Sequence, residues 1–223
     1  MAIGVDGIFV IDVTGRNEHA VHPPSGGLSP DWSPDGKLIV MSGVRNFTET
    51  LFIVKPDRKW LRDLRVSGEG AEWSPDGRRF VYGWHLPGAE WAVWVVTAAG
   101  QDPHQLTHPP IDAAVPLGSA GDGGALWSPD GSQILFSRGA SAARDLWIMN
   151  ADGSNQHSIL SWRGADSPNA WLPDGRLVFA HYVPGAKRPR WFLVRADGSN
   201  LQSLPWLDGI AADPLDWLPR RRR

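Results

Sequence analysis

Apolar residues in this chain are gathered in short runs, and nearly every run stops at a turn signal. Leu38-Ile39-Val40-Met41, Arg79-Phe80-Val81-Tyr82, Gln133-Ile134-Leu135-Phe136 and Arg176-Leu177-Val178-Phe179 are short, β-branched and aromatic stretches, and they predict strands. Each follows a Pro-Asp-Gly step. A second set of runs ends on Asp-Gly. Leu146 to Asn150 leads into Ala151-Asp152-Gly153, and Trp191 to Arg195 leads into Ala196-Asp197-Gly198, with weaker copies at 51–59, 93–102 and 8–17. An apolar strand running into Asp-Gly predicts a hairpin. No stretch combines helical periodicity with caps.

The Pro-Asp-Gly steps belong to a longer word. Trp32-Ser33-Pro34-Asp35-Gly36 recurs from Trp73 and from Trp127, returns as Trp171-Leu172-Pro173-Asp174-Gly175, and fades at Trp217-Leu218-Pro219-Arg220. The Trp spacings are 41, 54, 44 and 46 residues, a period that fits four short strands per repeat. Pro pre-sets the turn, Asp suits its third position and Gly its left-handed fourth. Each word therefore joins two antiparallel strands. Trp32, Trp73, Trp127, Trp171 and Trp217 are expected to be structural, packed between sheets with the indole N–H on a backbone carbonyl.

Four repeats begin near residues 30, 70, 124 and 168. Fragments remain at both ends. Residues 1–5, 8–13 and 18–21 read as second, third and fourth strands, and Pro214 to Leu218 as a first. Joined, they complete one blade and close the ring, which removes free edges. The expectation is an all-β, single-domain five-bladed β-propeller of four-stranded antiparallel blades, closed by pairing N-terminal strands with a C-terminal strand. The competing reading is a piece of a longer propeller.

The alternation of Trp-Ser-Pro-Asp-Gly, two apolar strands, Ala-Asp-Gly-Ser-Asn and then Leu106-Thr107 resembles the TolB-like (WD-repeat-like) propeller repeat. Ser42 with Arg45, and Ser137-Arg138-Gly139, look like its Ser-x-Arg-x-Gly stretch without keeping the spacing. The resemblance runs from residue 8 to 219. It implies a propeller fold, in a family that includes propellers attached to prolyl-oligopeptidase-type hydrolases, and oligogalacturonate lyases.

Composition narrows the function classes. The net charge of −2 and pI near 6.4 give no nucleic-acid signal. The absence of cysteine excludes disulfides, thiolate metal sites and a Cys nucleophile. No apolar run approaches the roughly 18 residues of a membrane span. No signal peptide is visible in Met1 to Val5. As written the chain reads as cytoplasmic, or as periplasmic or secreted if a leader was removed. A monomer is expected.

In a propeller the loops after second and fourth strands share one face, and here those are the long loops. They carry His22, Arg45, Trp84, His85, His108, Arg138, Arg144, Trp162, Arg163, His181, Tyr182, Lys187, Arg188 and Trp206. Arg45, Trp84, His85, Arg138, Trp162, Arg163, His181 and Tyr182 are the candidate binding residues: Arg forks suit carboxylates, and Trp and Tyr suit sugar or peptide faces. His85 and His181 fall 12 and 10 residues after their preceding Trp in the sequence repeat; the resemblance to the lyases makes them weak metal candidates with no third ligand in view. Asp12, Asp31, Glu72 and Asp216 are expected to bond backbone N–H groups rather than to act in paired-carboxylate chemistry. Gly-x-Ser-x-Gly, His-Glu-x-x-His and Walker-type loops are absent from the sequence. The reading is a non-enzymatic recognition scaffold, without cofactor, for a protein, peptide or carbohydrate. The alternative is a small propeller lyase or hydrolase using the His and carboxylate groups.

Overall fold

In this computed structural model residues 2–4, 8–21, 28–57, 59–111, 116, 118–140 and 142–208 are described. They form five antiparallel sheets, one of three strands and four of four. The first holds β1 (Ala2–Gly4), β2 (Ile8–Val10) and β3 (His19–Val21). The second holds β4 (Leu28–Trp32), β5 (Ile39–Arg45), β6 (Thr48–Val54) and β7 (Leu61–Ser67). The third holds β8 (Glu69–Trp73), β9 (Arg79–Trp84), β10 (Ala92–Thr97) and β11 (His104–Gln105). The fourth holds β12 (Asp122–Trp127), β13 (Gln133–Ala140), β14 (Ala143–Asn150) and β15 (His157–Leu160). The fifth holds β16 (Ala165–Trp171), β17 (Arg176–Tyr182), β18 (Arg190–Arg195) and β19 (Gln202–Ser203), followed by a 3-10 turn at Pro205–Leu207. In every sheet the strands are neighbours in chain order. The N-terminal strands fall where the repeat places them. The proposed closing strand at Pro214 to Leu218, and Trp217 with it, lies outside the described residues.

The chain divides into two compact units: Met1–Trp84 with Val93–Gln105, and His85–Ala92 with Leu106–Arg223. In the first, alternate residues of β5 and β6 serve two different cores. Ile39, Met41, Phe52 and Val54 pack with Ile8 and Val21. Val40, Leu51 and Ile53 pack instead with Trp73, Phe80, Tyr82 and Val96. Successive side chains point to opposite faces of a strand, and both faces are covered here. That is why the sequence shows unbroken apolar runs rather than apolar–polar alternation. In the second unit Leu135, Leu146, Leu177, Phe179 and Val194 form one core. Val178, Ala180, Trp191 and Leu193 form another with Leu207 of the 3-10 turn.

The repeated word makes the same turn three times. Ser33 N–H donates to Leu38 O and Gly36 N–H to Ser33 O, both at 2.8 Å. Ser33 Oγ donates to Asp35 Oδ1 at 2.8 Å and accepts the Leu38 N–H at 2.9 Å. Ser74 with Asp76 and Arg79, and Ser128 with Asp130 and Gln133, repeat both bonds. The fourth word has Leu172 for Ser, and its turn is one residue shorter, closed by Leu172 N–H to Arg176 O at 2.7 Å. Asp174 there turns to Arg176, 2.7 Å from Nη2. Gly36, Gly77, Gly131 and Gly175 all carry φ between 70° and 82°, the left-handed value the turn requires.

Second strands run further than the apolar pattern predicts. β5 continues to Arg45 and β13 to Ala140. Their outer halves are polar and end in tight hairpins, Arg45↔Thr48 and Ala140↔Ala143. These polar extensions carry the candidate residues.

Candidate functional site: the long-loop ends of the sheets

In the second unit, two sheets place an Asp opposite a nitrogen-bearing side chain at the same register. Asp122 pairs with Arg138 across β12 and β13, and Asp166 pairs with His181 across β16 and β17. Arg138 forks onto Asp122, with Nε to Oδ1 and Nη2 to Oδ2 both at 2.7 Å. Nη2 also donates to Gln156 Oε1 at 2.9 Å. The Arg138 guanidinium lies over Trp147, 4.5 Å from the ring centroid, and over Phe136 at 5.2 Å. Arg138 is therefore taken up by the scaffold on every side the structure describes. Gln156 is fixed in turn, donating to Leu106 O and Gly153 O.

The fifth sheet builds the equivalent arrangement from different residues. His181 Nδ1 lies 2.7 Å from Asp166 Oδ1, and both groups are buried. Trp162 Nε1 donates to both Asp166 oxygens at 2.8 Å. The Trp162 ring covers His181 at 4.3 Å and meets Phe192 edge-on at 5.1 Å. Phe192 stands where Trp147 stands in the fourth sheet, and it meets the His181 ring edge-on at 6.1 Å. Burial pushes the Asp166 carboxyl up, while the Trp162 and His181 hydrogen bonds pull it down. Asp145, bonded to Ser161 Oγ at 3.1 Å, adds repulsion from β14. A β-carbon on Gly164 would strike the His181 ring.

The remaining candidates are more open. Arg163 is exposed and Tyr182 is 41% exposed. Trp206, on the 3-10 turn, is 67% exposed while its neighbour Leu207 is buried. His85 packs against Trp91 at 4.8 Å. Among the described residues no group of three or more His, Cys, Asp or Glu side chains could hold a metal ion. In the first unit Arg45 pairs with Asp63 at 3.0 Å. Trp84 is half-buried, its carbonyl accepting the Trp94 indole N–H at 3.2 Å. Glu69 hydrogen-bonds with Glu49, and burial and that second carboxylate push it up to about 7.

The signature tryptophans divide. Trp73 and Trp127 are buried, while Trp32 and Trp171 are half-buried. Trp171 donates to Leu126 O in the preceding sheet at 3.3 Å. Trp73 departs from the expected indole-to-carbonyl bond: its Nε1 has no partner among the described residues, and its ring packs edge-on to Phe80 at 4.4 Å. Asp31 accepts the Trp73 backbone N–H at 2.7 Å. Asp12 accepts those of Thr14 and Arg16 at 2.9 Å. Both act as backbone acceptors, as their positions suggest. Asp122, Asp166, Gln156 and the Glu49–Glu69 pair were not singled out by the sequence. For the two Asp the signal exists, five residues before Trp127 and Trp171.

This fold is shared with known proteins. The solved structure of a candidate TolB from Agrobacterium tumefaciens superposes with a TM-score of 0.76 at 21% identity, covering 91% of this chain and 75% of that one. TolB from Acinetobacter baumannii gives 0.70 at 18%, covering 89% and 48%. In sequence, the Tol-Pal system protein TolB of Anaeromyxobacter dehalogenans is 30% identical over 100 residues, 44% of this chain. Its fold is that of the TolB-like propellers. An oligogalacturonate lyase in complex with manganese gives a TM-score of 0.62 at 16%, covering 89% and 58%. An uncharacterised protein of Agrobacterium fabrum is 22% identical over 79% of this chain. The chain spans 57% of that relative's length and 20% of the Anaeromyxobacter TolB. No family model matches the sequence.

Proposed function

We propose that this TolB-like propeller is a non-enzymatic recognition module that takes a protein, peptide or carbohydrate at the long-loop ends of its blades. One observation carries the reading: the fifth sheet presents Trp206 to solvent on a turn that Leu207 anchors in the core. Tyr182 leaves the same end of that sheet. Exposed aromatics on rigid supports are the usual anchors of a recognition surface. The nearby pairs, Arg138 with Asp122 and His181 with Asp166, serve the scaffold in this reading. The signature tryptophans belong to the framework in this reading.

The test is a peptide and glycan screen of wild type against a Tyr182→Ser, Trp206→Ser double variant. Loss of binding by the variant is expected. A ligand that both proteins bind equally, or that maps to the hollow between the Pro-Asp-Gly turns at Ser33, Leu38, Trp73 and Asp76, would place recognition on the opposite face.

The manganese-bound lyase neighbour favours a second reading, a metal-dependent enzyme. Among the described residues no group of three or more His, Cys, Asp or Glu side chains could hold that metal.

A further inference from the structure

The long-loop end of the fifth sheet gathers exposed cations from two loops. The β17–β18 loop closes a turn through Ala186 N–H to Val183 O at 3.0 Å, with Gly185 at φ of 82°. Lys187-Arg188-Pro189-Arg190 follows directly; Pro189 is buried, while Lys187, Arg188 and Arg190 are exposed. Arg190 opens β18 opposite His181. Arg163, also exposed, comes from the loop before β16. Its neighbour Gly164 lies against the end of β17, where a β-carbon would overlap the Tyr182 carbonyl oxygen. The turn that carries Trp206 is tied to the same end. Leu204 N–H donates to Trp191 O at 2.7 Å, and Asp208 accepts the Trp191 N–H at 3.2 Å. One sheet end thus presents Arg163, Lys187, Arg188 and Arg190 together with exposed Tyr182, Val183 and Trp206.

The carboxylates at this end are taken up by the framework. Asp166 is buried beneath its bonds from Trp162 and to His181. Asp208 is half-buried on the Trp191 N–H, and Asp145, half-buried on neighbouring β14, accepts the Ser161 hydroxyl. Among the described residues no exposed carboxylate stands here. Several exposed cations elsewhere keep a partner: Lys37 pairs with Asp35, Lys59 with Asp57 and Arg176 with Asp174. Arg163, Lys187 and Arg190 form no ion pair among the described residues. A chain of net charge −2 therefore carries a local positive surface set among aromatics, and such a surface draws anions.

We infer that this end binds an acidic peptide segment in which carboxylates alternate with apolar side chains. Arg and Lys are donors without an acceptor, which suits carboxylates; sugar hydroxyls would need acceptors as well. Tyr182, Val183 and Trp206 supply contact for the apolar side chains in between. A long polyanion such as a nucleic acid meets the negative charge of the rest of the chain, whereas a short segment meets only the local surface. The inference rests on the long-loop reading above and names its ligand class.

The experiment uses the full chain and the N-acetylated, C-amidated peptide Glu-Phe-Glu-Phe-Glu-Phe, with a twin carrying Gln in place of each Glu. Calorimetric titrations compare the two at low and physiological salt. The acidic peptide is expected to bind roughly tenfold or more tightly than its twin, and added salt should narrow the gap. One variant combining Arg163→Gln, Lys187→Gln and Arg190→Gln should lose the preference with its melting temperature unchanged, since these three cations hold no carboxylate in place. Equal binding of the two peptides, binding of neither, or a preference that survives in the triple variant overturns the proposal. An oligouronate or a single-stranded oligonucleotide that binds more tightly than the acidic peptide overturns the peptide assignment. If Tyr182→Ser, Trp206→Ser abolishes binding while the triple variant keeps the preference, this inference fails and the long-loop reading stands. If that double variant binds both peptides as wild type does, the long-loop reading itself fails.

Discussion

The same register position is solved in opposite ways in the third sheet and in the fourth and fifth. Five residues before the signature Trp, the fourth and fifth sheets place Asp122 and Asp166, each buried, opposite Arg138 and His181. The third sheet has Gly68 there, and a β-carbon on it would run into the Tyr82 ring. Its second strand ends in Trp84 rather than a cation, with Trp94 from the third strand on the Trp84 carbonyl. Thus at this position the fourth and fifth sheets hold a buried carboxylate against Arg138 or His181, and the third holds aromatic packing instead. The lesson is that the repeat fixes a geometric slot, and the local room decides its chemistry. Where the backbone passes as closely as Gly68 does, no charge fits. Where the slot is open, a carboxylate enters together with side chains that hydrogen-bond it, Arg138 for Asp122 and His181 with Trp162 for Asp166, because an unpartnered buried charge is costly.

The largest way to break this contrast is to orphan the buried carboxylate. Arg138→Met should destabilise the protein by about 3–5 kcal/mol, since Asp122 stays buried without its fork. Asp122→Leu with Arg138→Met should recover most of that loss. Denaturant melts of the three variants check this, and a single variant no less stable than the double one would refute the slot argument. A smaller difference separates the turns. Ser128→Ala removes the hydroxyl that serves Asp130 and Gln133, at a cost of about 1 kcal/mol. Leu172→Ser should gain little, because the shorter turn closes directly on Arg176. Thermal melts compare the two directly.

The smallest effect is the pH dependence in the first unit. Glu69 binds its proton more tightly folded, with its pKa raised from 4.5 to about 7. The folded state therefore holds more protons than the unfolded chain between these values, and stability falls as pH rises through them. Glu69→Gln should flatten that part of the profile. Asp35 contributes the opposite slope: the Ser33 hydroxyl, above all, lowers it to about 2. Its stabilisation is present above pH 4 and fades toward pH 2. Stability measured from pH 2 to 8 in wild type and Glu69→Gln separates the two.

The strands and turns were legible because both sheet faces are covered and the turn residues are stereochemically compelled. Leu38 to Met41 and the Gly36 turn needed nothing beyond local pattern. The rim was less legible. Arg138 and His181 stood out as candidates, yet their partners did not, because an Asp in a strand such as Asp122 reads as a turn former. Glu49 and Glu69 belong to different sheets, and no period along the chain brings them together. Tyr182 and Trp206 were visible as aromatics in loops, but their exposure depends on which neighbour, such as Leu207, takes the buried place.

The Asp31 carboxylate offers a different view of what a repeat is. It sits in the second sheet and accepts the backbone N–H of Trp73 in the third. Counted between the repeat starts near residues 30 and 70, the sequence suggests a self-sufficient module. Counted by hydrogen bonds, that module carries an acceptor whose donor lies in the next one. The segment that recurs along the chain is thus out of phase with the segment that holds together. A cut made at the sequence boundary would separate Asp31 from Trp73, so cooperativity in this unit is carried across the joints as well as within the sheets.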